Sequence, residues 1–122
     1  MRILLCDDTP ELRSLMRSAL ESGDGVEIIG EVGDGDAAVQ LAADEQPEVV
    51  VLDLEMPGPD PEALLIGLRR AAPSAALVTF SGHEPAAVAG AAVGEIALHV
   101  PKTTDLTVAA TAVRALGDRL RT

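Results

Sequence analysis

A chain of 122 residues with 48% apolar side chains suits one compact domain with a real core, and it lacks the low-hydrophobicity signature of disorder. Nine basic against 20 acidic residues leave a net charge of −11, which disfavours non-specific contact with nucleic acid through this domain. One cysteine excludes an internal disulfide, one aromatic (Phe80) argues against a base-stacking surface, and no apolar stretch reaches membrane-spanning length, so a soluble cytoplasmic protein is the expectation.

The chain enters an apolar run at once, over about 2–6, with no signal-peptide layout before it. This run reads as a buried strand, and Cys6 within it as a buried small hydrophobe. Thr9-Pro10-Glu11 then supplies an N-cap, a first-turn proline and an early acid. Leu12, Leu15, Met16, Ala19 and Leu20 follow at the spacing of one helix face. Gly23 and Gly25 mark a turn into a second strand at about 26–31, and Gly33 and Gly35 mark the turn into an Ala-rich helix at about 35–44. A third apolar run covers about 48–53. Asp60-Pro61-Glu62 repeats the start signal, and Leu64, Leu65 and Leu68 carry the next helix face. The fourth strand is expected at about 75–80. A weak helical segment follows at about 85–92, where Ala86, Ala87, Val88, Ala89, Gly90, Ala91, Ala92, Val93 and Gly94 offer little bulk and two glycines. A fifth strand at about 96–100 leads to a last helix carrying Leu106, Ala109, Ala110, Val113, Leu116 and Leu120 on one face. Pro47, Pro73 and Pro101 fall at strand edges or in loops, where a missing N–H is tolerated.

Five strands alternating with helices imply an α/β fold, a doubly wound five-stranded parallel sheet with right-handed crossovers, and five units favour the strand order 2-1-3-4-5. No linker, repeat or composition shift divides residues 1–122, so one domain is expected.

In such a sheet the carboxyl ends of all strands share one rim, where ligands bind. Asp7 and Asp8 follow the first run, Asp53 ends the third, Ser81 follows the fourth and Lys102 follows the fifth. Strands 1 and 3 are neighbours in this order, so Asp7, Asp8 and Asp53 would meet. Close carboxylates repel by on the order of 4 kcal/mol per pair at an effective dielectric of 20. A hard cation such as Mg²⁺ offsets that. One acid, or Thr9, could instead cap the first helix, but this leaves Asp7 and Asp53 unexplained. An aspartate, a metal, a hydroxyl and a lysine supply the positioning and charge neutralisation that phosphoryl transfer needs, with Asp53 as nucleophile.

These residues, in this order and over essentially the whole chain, resemble the receiver domain of bacterial two-component response regulators. The matched pieces are Asp7-Asp8, Val51-Leu52-Asp53-Leu54-Glu55-Met56-Pro57-Gly58, Ser81-Gly82-His83 and Lys102. The resemblance implies a flavodoxin-like (βα)5 fold in which a sensor histidine kinase phosphorylates Asp53. It implies that Asp8 and Asp53 ligate Mg²⁺, that Asp7 acts through water, and that the Glu55 backbone carbonyl completes the protein ligands. Lys102 and Ser81 would contact the phosphoryl group. Movement of Ser81 would bias the face formed by the fourth helical segment, the fifth strand and the last helix toward an output state. A homodimer through that face is an arrangement the resemblance allows. Beyond its own phosphorylation and dephosphorylation no enzyme activity is expected. Output would run by protein contact or through a DNA-binding domain outside this chain. The Phe80-Ser81-Gly82-His83 and Val100-Pro101-Lys102 stretches look like receivers of LuxR/NarL-type regulators.

Several positions depart from the family pattern. His99 stands where an aromatic switch residue is usual, three before Lys102, and could copy the switch ring with a pH-dependent charge or be a plain strand-end histidine. Glu55, two residues after Asp53, stands where the resembled family tunes how water reaches the phosphoryl group, and its charge could repel that group, hold water near the metal, or belong to a plain solvated loop acid. His83 has no second ligand at zinc spacing. Arg114, Arg119 and Arg121 read as a solvated face or as partners for acids across a dimer. Two other function classes share parts of this pattern. A small Mg²⁺-dependent phosphohydrolase of the haloacid-dehalogenase type would place its nucleophile after strand 1, and a degenerate receiver would serve only as a binding scaffold.

Overall fold

The structure, a computed structural model, describes residues 1–82, 84–85 and 89–120. Its elements run β1 (Arg2–Cys6), α1 (Pro10–Glu21), β2 (Glu27–Val32), α2 (Gly35–Glu45), β3 (Val49–Leu52), α3 (Pro61–Ala71), β4 (Ala76–Ser81), a 3-10 helix η1 (Gly90–Glu95), β5 (Ile96–Pro101) and α4 (Leu106–Leu120). All strand pairs are parallel and the sheet order is β2-β1-β3-β4-β5, as the alternation of runs predicts.

The central strands β3 and β4 are buried along their whole length, because helices cover both faces of the sheet. Alternation sends Leu4, Val50, Leu52 and Leu77 to one face, against Ala38, Ala42, Leu64, Leu65 and Leu68. Ile3, Leu5, Val51, Val78 and Phe80 go to the other, against Met16, Leu20, Ala109, Ala110 and Val113. Each buried Leu or Val contributes about 1.5–3 kcal/mol. The edge strand β2 is only half-buried and carries Glu27 and Glu31, which blunts that edge.

Two residues of the expected helix faces lie outside the core. Leu15 and Leu120 are 57% and 58% exposed. The stripe of α1 that meets α4 runs through Leu12, Met16, Ala19 and Leu20, and Leu15 falls at its border. Both proline-led helix starts are where expected, but only one is capped by its side chain. Asp60 Oδ1 accepts from the Ala63 N–H at 2.9 Å, whereas Thr9 makes no side-chain cap bond. Asp34, unforeseen, caps α2 through the Ala37 N–H at 2.8 Å.

The expected helix at 85–92 is corrected in part. Pro85 and Ala89 are helical as expected, but Gly90 begins a 3-10 helix that ends at Glu95, and Ala86, Ala87 and Val88 lie outside the described residues. Gly90 has φ +53, a left-handed conformation that a right-handed α-helix cannot continue through. Gly58, at φ +115, turns the loop after β3 tightly against the Gly35 end of α2. That contact braces the loop carrying Glu55 beside the rim.

Candidate functional site

Backbone pairing continues one residue past β1 and β3. The Asp7 N–H donates to the Val32 carbonyl at 3.0 Å, and the Asp53 N–H donates to the Cys6 carbonyl at 2.9 Å. The ladder therefore fixes both aspartates at the crevice where strand order reverses. Asp7 and Asp53 are 4% and 2% exposed, and Asp8 is exposed beside them. One carboxylate oxygen from each of Asp7, Asp8 and Asp53 lies within 4.8 Å of the others.

Both oxygens of Asp53 are engaged. Lys102 Nζ donates to Oδ2 at 2.8 Å, and the Glu55 N–H donates to Oδ1 at 2.9 Å. Lys102 is placed by its own backbone, whose N–H donates to the Ser81 carbonyl at 3.0 Å. Ser81 is 1% exposed and donates its hydroxyl to Glu55 Oε1 at 3.1 Å. The sequence-predicted acids, hydroxyl and lysine thus do converge, from the ends of four strands.

The electrostatics follow from this packing. Burial pushes the Asp7 carboxyl above its usual value, and the charges of Asp53 and Asp8 add to that, while the Thr9 N–H and Lys102 oppose it. The Thr9 N–H donates to Asp7 Oδ1 at 2.8 Å, so Asp7 also shapes the turn into α1. Burial alone would lower the Lys102 ammonium. The hydrogen bond and charge of Asp53, with the charges of Asp7 and Glu55, outweigh it and hold Lys102 above the usual lysine value. Burial pushes the Cys6 thiol far up, which leaves it an inert core residue.

The donor set fits magnesium. Three hard carboxylate oxygens sit close together, with no nitrogen or sulfur ligand among the three. Two of them are buried, where unbalanced negative charge is costly.

The His99 ring bonds to β4. Its Nδ1 is 2.7 Å from Thr79 Oγ1, across the β4–β5 pair in which the two residues are register partners. His83 and Arg121 lie outside the described residues. Arg114, expected to face solvent or a dimer partner, instead ties α4 to α1 through Nη1 to the Ala19 carbonyl at 2.9 Å. Sequence reading missed Arg13, which donates to the Asp7 carbonyl at 2.6 Å and pairs with Glu31 at 3.3 Å. The spacing from Asp7 places it on the first turn of α1 but does not show which way its side chain folds. The Glu55 side chain on Ser81 was missed too, since nothing in spacing shows how far a loop side chain reaches.

Comparison with known proteins agrees with this geometry. The response regulator receiver domain family matches residues 3–114. A protein-glutamate methylesterase/protein-glutamine glutaminase of Myxococcus xanthus is 38% identical over 86 residues, covering 69% of this chain and 25% of that protein. The nitrate/nitrite response regulator NarL of Escherichia coli is 34% identical over 79 residues, covering 65% of this chain and 37% of that protein. The chain therefore spans well under half the length of these curated relatives. Among solved structures, the signal receiver domain of a response regulator NarL from Mycobacterium tuberculosis superposes with a TM-score of 0.84 at 28% identity, covering 96% and 95% of the two chains. The isolated receiver domain of RcsB from Salmonella enterica, solved with the phosphomimetic BeF3−, gives 0.84 at 26% identity, covering 97% and 88%.

Proposed function

The chain belongs to the response regulator receiver domain family and is a phosphorylation-dependent signalling domain, and from that premise we propose that Asp53 is its phosphoryl acceptor. The observation that carries the assignment is the grip on Asp53. It is the carboxylate held by Lys102 Nζ, at 2.8 Å, at the centre of the acidic rim. The reading takes residues 1–122 as one receiver unit. Asp8, Asp53 and the Glu55 carbonyl would hold Mg²⁺, with Asp7 acting through water. A bound Mg²⁺ supplies charge neutralisation on the transferring group.

The protein's own residues do the rest. An Asp53 carboxylate oxygen attacks phosphorus, and the bond from phosphorus to the donor nitrogen of a phosphohistidine breaks. The electron pair returns to the imidazole, and an acyl phosphate is left on Asp53. Lys102 then serves an oxygen of the phosphoryl group, to which its protonated state is suited. Ser81 turns its hydroxyl to another. That turn pulls the end of β4 and, through it, the face of η1, β5 and α4. A sensor histidine kinase in the cytoplasm is the donor on this reading. Output runs through that face, by contact with a protein, a second copy or a DNA-binding domain.

The lysine grip also weighs against a phosphohydrolase of the haloacid-dehalogenase type, whose nucleophile would be Asp7. The test is intact-mass spectrometry after incubation with acetyl phosphate, with and without Mg²⁺. A Mg²⁺-dependent gain of one phosphoryl group, absent in Asp53→Asn, is expected. A gain that persists in Asp53→Asn would defeat the assignment, and steady turnover of phosphomonoesters would favour the hydrolase.

A further inference from the structure

The hydroxyl that should donate to a phosphoryl oxygen is already engaged. Ser81 Oγ–H donates to Glu55 Oε1 at 3.1 Å. Glu55 starts from the loop after β3, where its N–H is fixed on Asp53 Oδ1 at 2.9 Å. Its side chain crosses from that loop to the end of β4. There Oε1 lies 3.7 Å from where a Cβ on Gly82 would stand. The same carboxylate is one of the charges that help hold Lys102 protonated, behind Asp53 and Asp7. Glu55 therefore acts on both groups that the phosphoryl oxygens would engage.

We propose that the Glu55 side chain is an internal stand-in for the phosphoryl group, latching Ser81 in the unphosphorylated state and giving it up when the switch turns. The inference rests on the receiver reading, in which Ser81 moves to the phosphoryl group. A serine hydroxyl has one proton and cannot donate it to two acceptors at once. Glu55 and a phosphoryl oxygen thus compete for the same bond. Whatever holds Ser81 on Glu55 lowers the population of the switched conformer and weakens the hold on a phosphoryl group.

Glu55 also repels an incoming anion simply by its charge. The two effects separate, because repulsion does not need Ser81 and the latch does. The full chain would be titrated with beryllium fluoride at saturating Mg²⁺, following the backbone amide resonances of Gly82 and Lys102. The proteins are wild type, Glu55→Ala, Glu55→Gln, Ser81→Ala and the Glu55→Ala/Ser81→Ala double variant. Glu55→Ala is expected to bind the analogue roughly three- to tenfold more tightly than wild type, the range for one partly exposed, charge-assisted hydrogen bond. Glu55→Gln, which keeps an acceptor, gains less. In the Ser81→Ala background the gain from Glu55→Ala shrinks to the part that relief of charge repulsion alone gives. An equal gain in both backgrounds, or none in either, overturns the latch while leaving the receiver reading intact. No analogue binding by the wild type overturns both.

Discussion

Lys102 is the one lysine in the chain, so its amine reports on the site without interference from any other side-chain amine. Its ammonium is held on Asp53 Oδ2, and the sign of its shift is a balance. Burial favours the neutral amine. The hydrogen bond and charge of Asp53, then the charges of Asp7 and Glu55, favour the ammonium and win. A lysine raised in the folded state contributes stability that is fully present below its unfolded value. That stability is lost as pH rises through the folded value. At neutral pH the pair is therefore intact, and the amine has no free lone pair to react. Asp53→Asn removes the largest contribution opposing burial and shifts the balance toward the neutral amine. Acylation of Lys102 by an N-hydroxysuccinimide ester at fixed mildly alkaline pH is expected to speed up, because a larger fraction of the amine is then neutral. Peptide mass spectrometry reads it directly. An unchanged rate would mean that Asp7 and Glu55 hold the ammonium without Asp53. The neighbouring position His99 follows a different logic. Its ring is bonded to Thr79, which is fully buried, so the ring satisfies a strand hydroxyl that would otherwise be costly to bury.

Among the elements, the segment between β4 and β5 is the least determined by its own sequence. It has no large apolar side chain between Gly82 and Ile96, only Val88 and Val93 with a run of alanines. Its two described glycines are not equivalent. Gly90 has φ +53, and a Cβ there would stand 2.5 Å from Glu62 Oε2 on α3. Gly94 has open space around its Cβ position. Gly90→Ala is expected to cost about 1–2 kcal/mol, from left-handed strain with some help from rotation of Glu62. Gly94→Ala is expected to stay within about 0.5 kcal/mol of wild type. Urea denaturation midpoints compare the two. Equal effects would show that η1 does not depend on the left-handed turn that starts it. What anchors the far end of η1 is Arg69. Its Nε pairs with Glu95 at 2.7 Å, and its Nη1 reaches the carbonyls of Pro73 and Ala75 at 2.9 and 2.7 Å. Ala89 and Ala92 thus seat only methyl groups in the core beside α3, and Arg69 pins the far end, so little bulk holds the segment in place, which suits a face that shifts.

At the scale of the molecule, the sheet order was readable because each strand is a short apolar run and each helix start carries a proline or an acid. The acids, hydroxyl and lysine were readable because each stands at the carboxyl end of a run, and parallel topology then forces them together. What could not be read was reach and register: Glu55 spanning to Ser81, Arg13 folding back on the Asp7 carbonyl, and Thr79 lying opposite His99. Those depend on the register of strands and on rotamers, which spacing does not encode. Charge, by contrast, is fully legible, and it makes the last prediction. A net charge of −11 repels itself over the whole surface, and the carboxylates of Asp7, Asp8 and Asp53, within 4.8 Å of one another, repel locally. Added NaCl should relieve the first repulsion in every variant, by screening. Mg²⁺ should relieve the second only where the ligands are intact. At a concentration tenfold above its Kd, Mg²⁺ stabilises by about 1.4 kcal/mol, or about 5 °C in Tm for a domain of this size. Differential scanning fluorimetry at matched ionic strength is expected to show that extra increment in wild type and to lose most of it in Asp8→Asn, with the NaCl response unchanged. If Mg²⁺ and NaCl at equal ionic strength raise Tm alike in wild type, the acidic rim holds no specific cation and its carboxylates serve the fold alone.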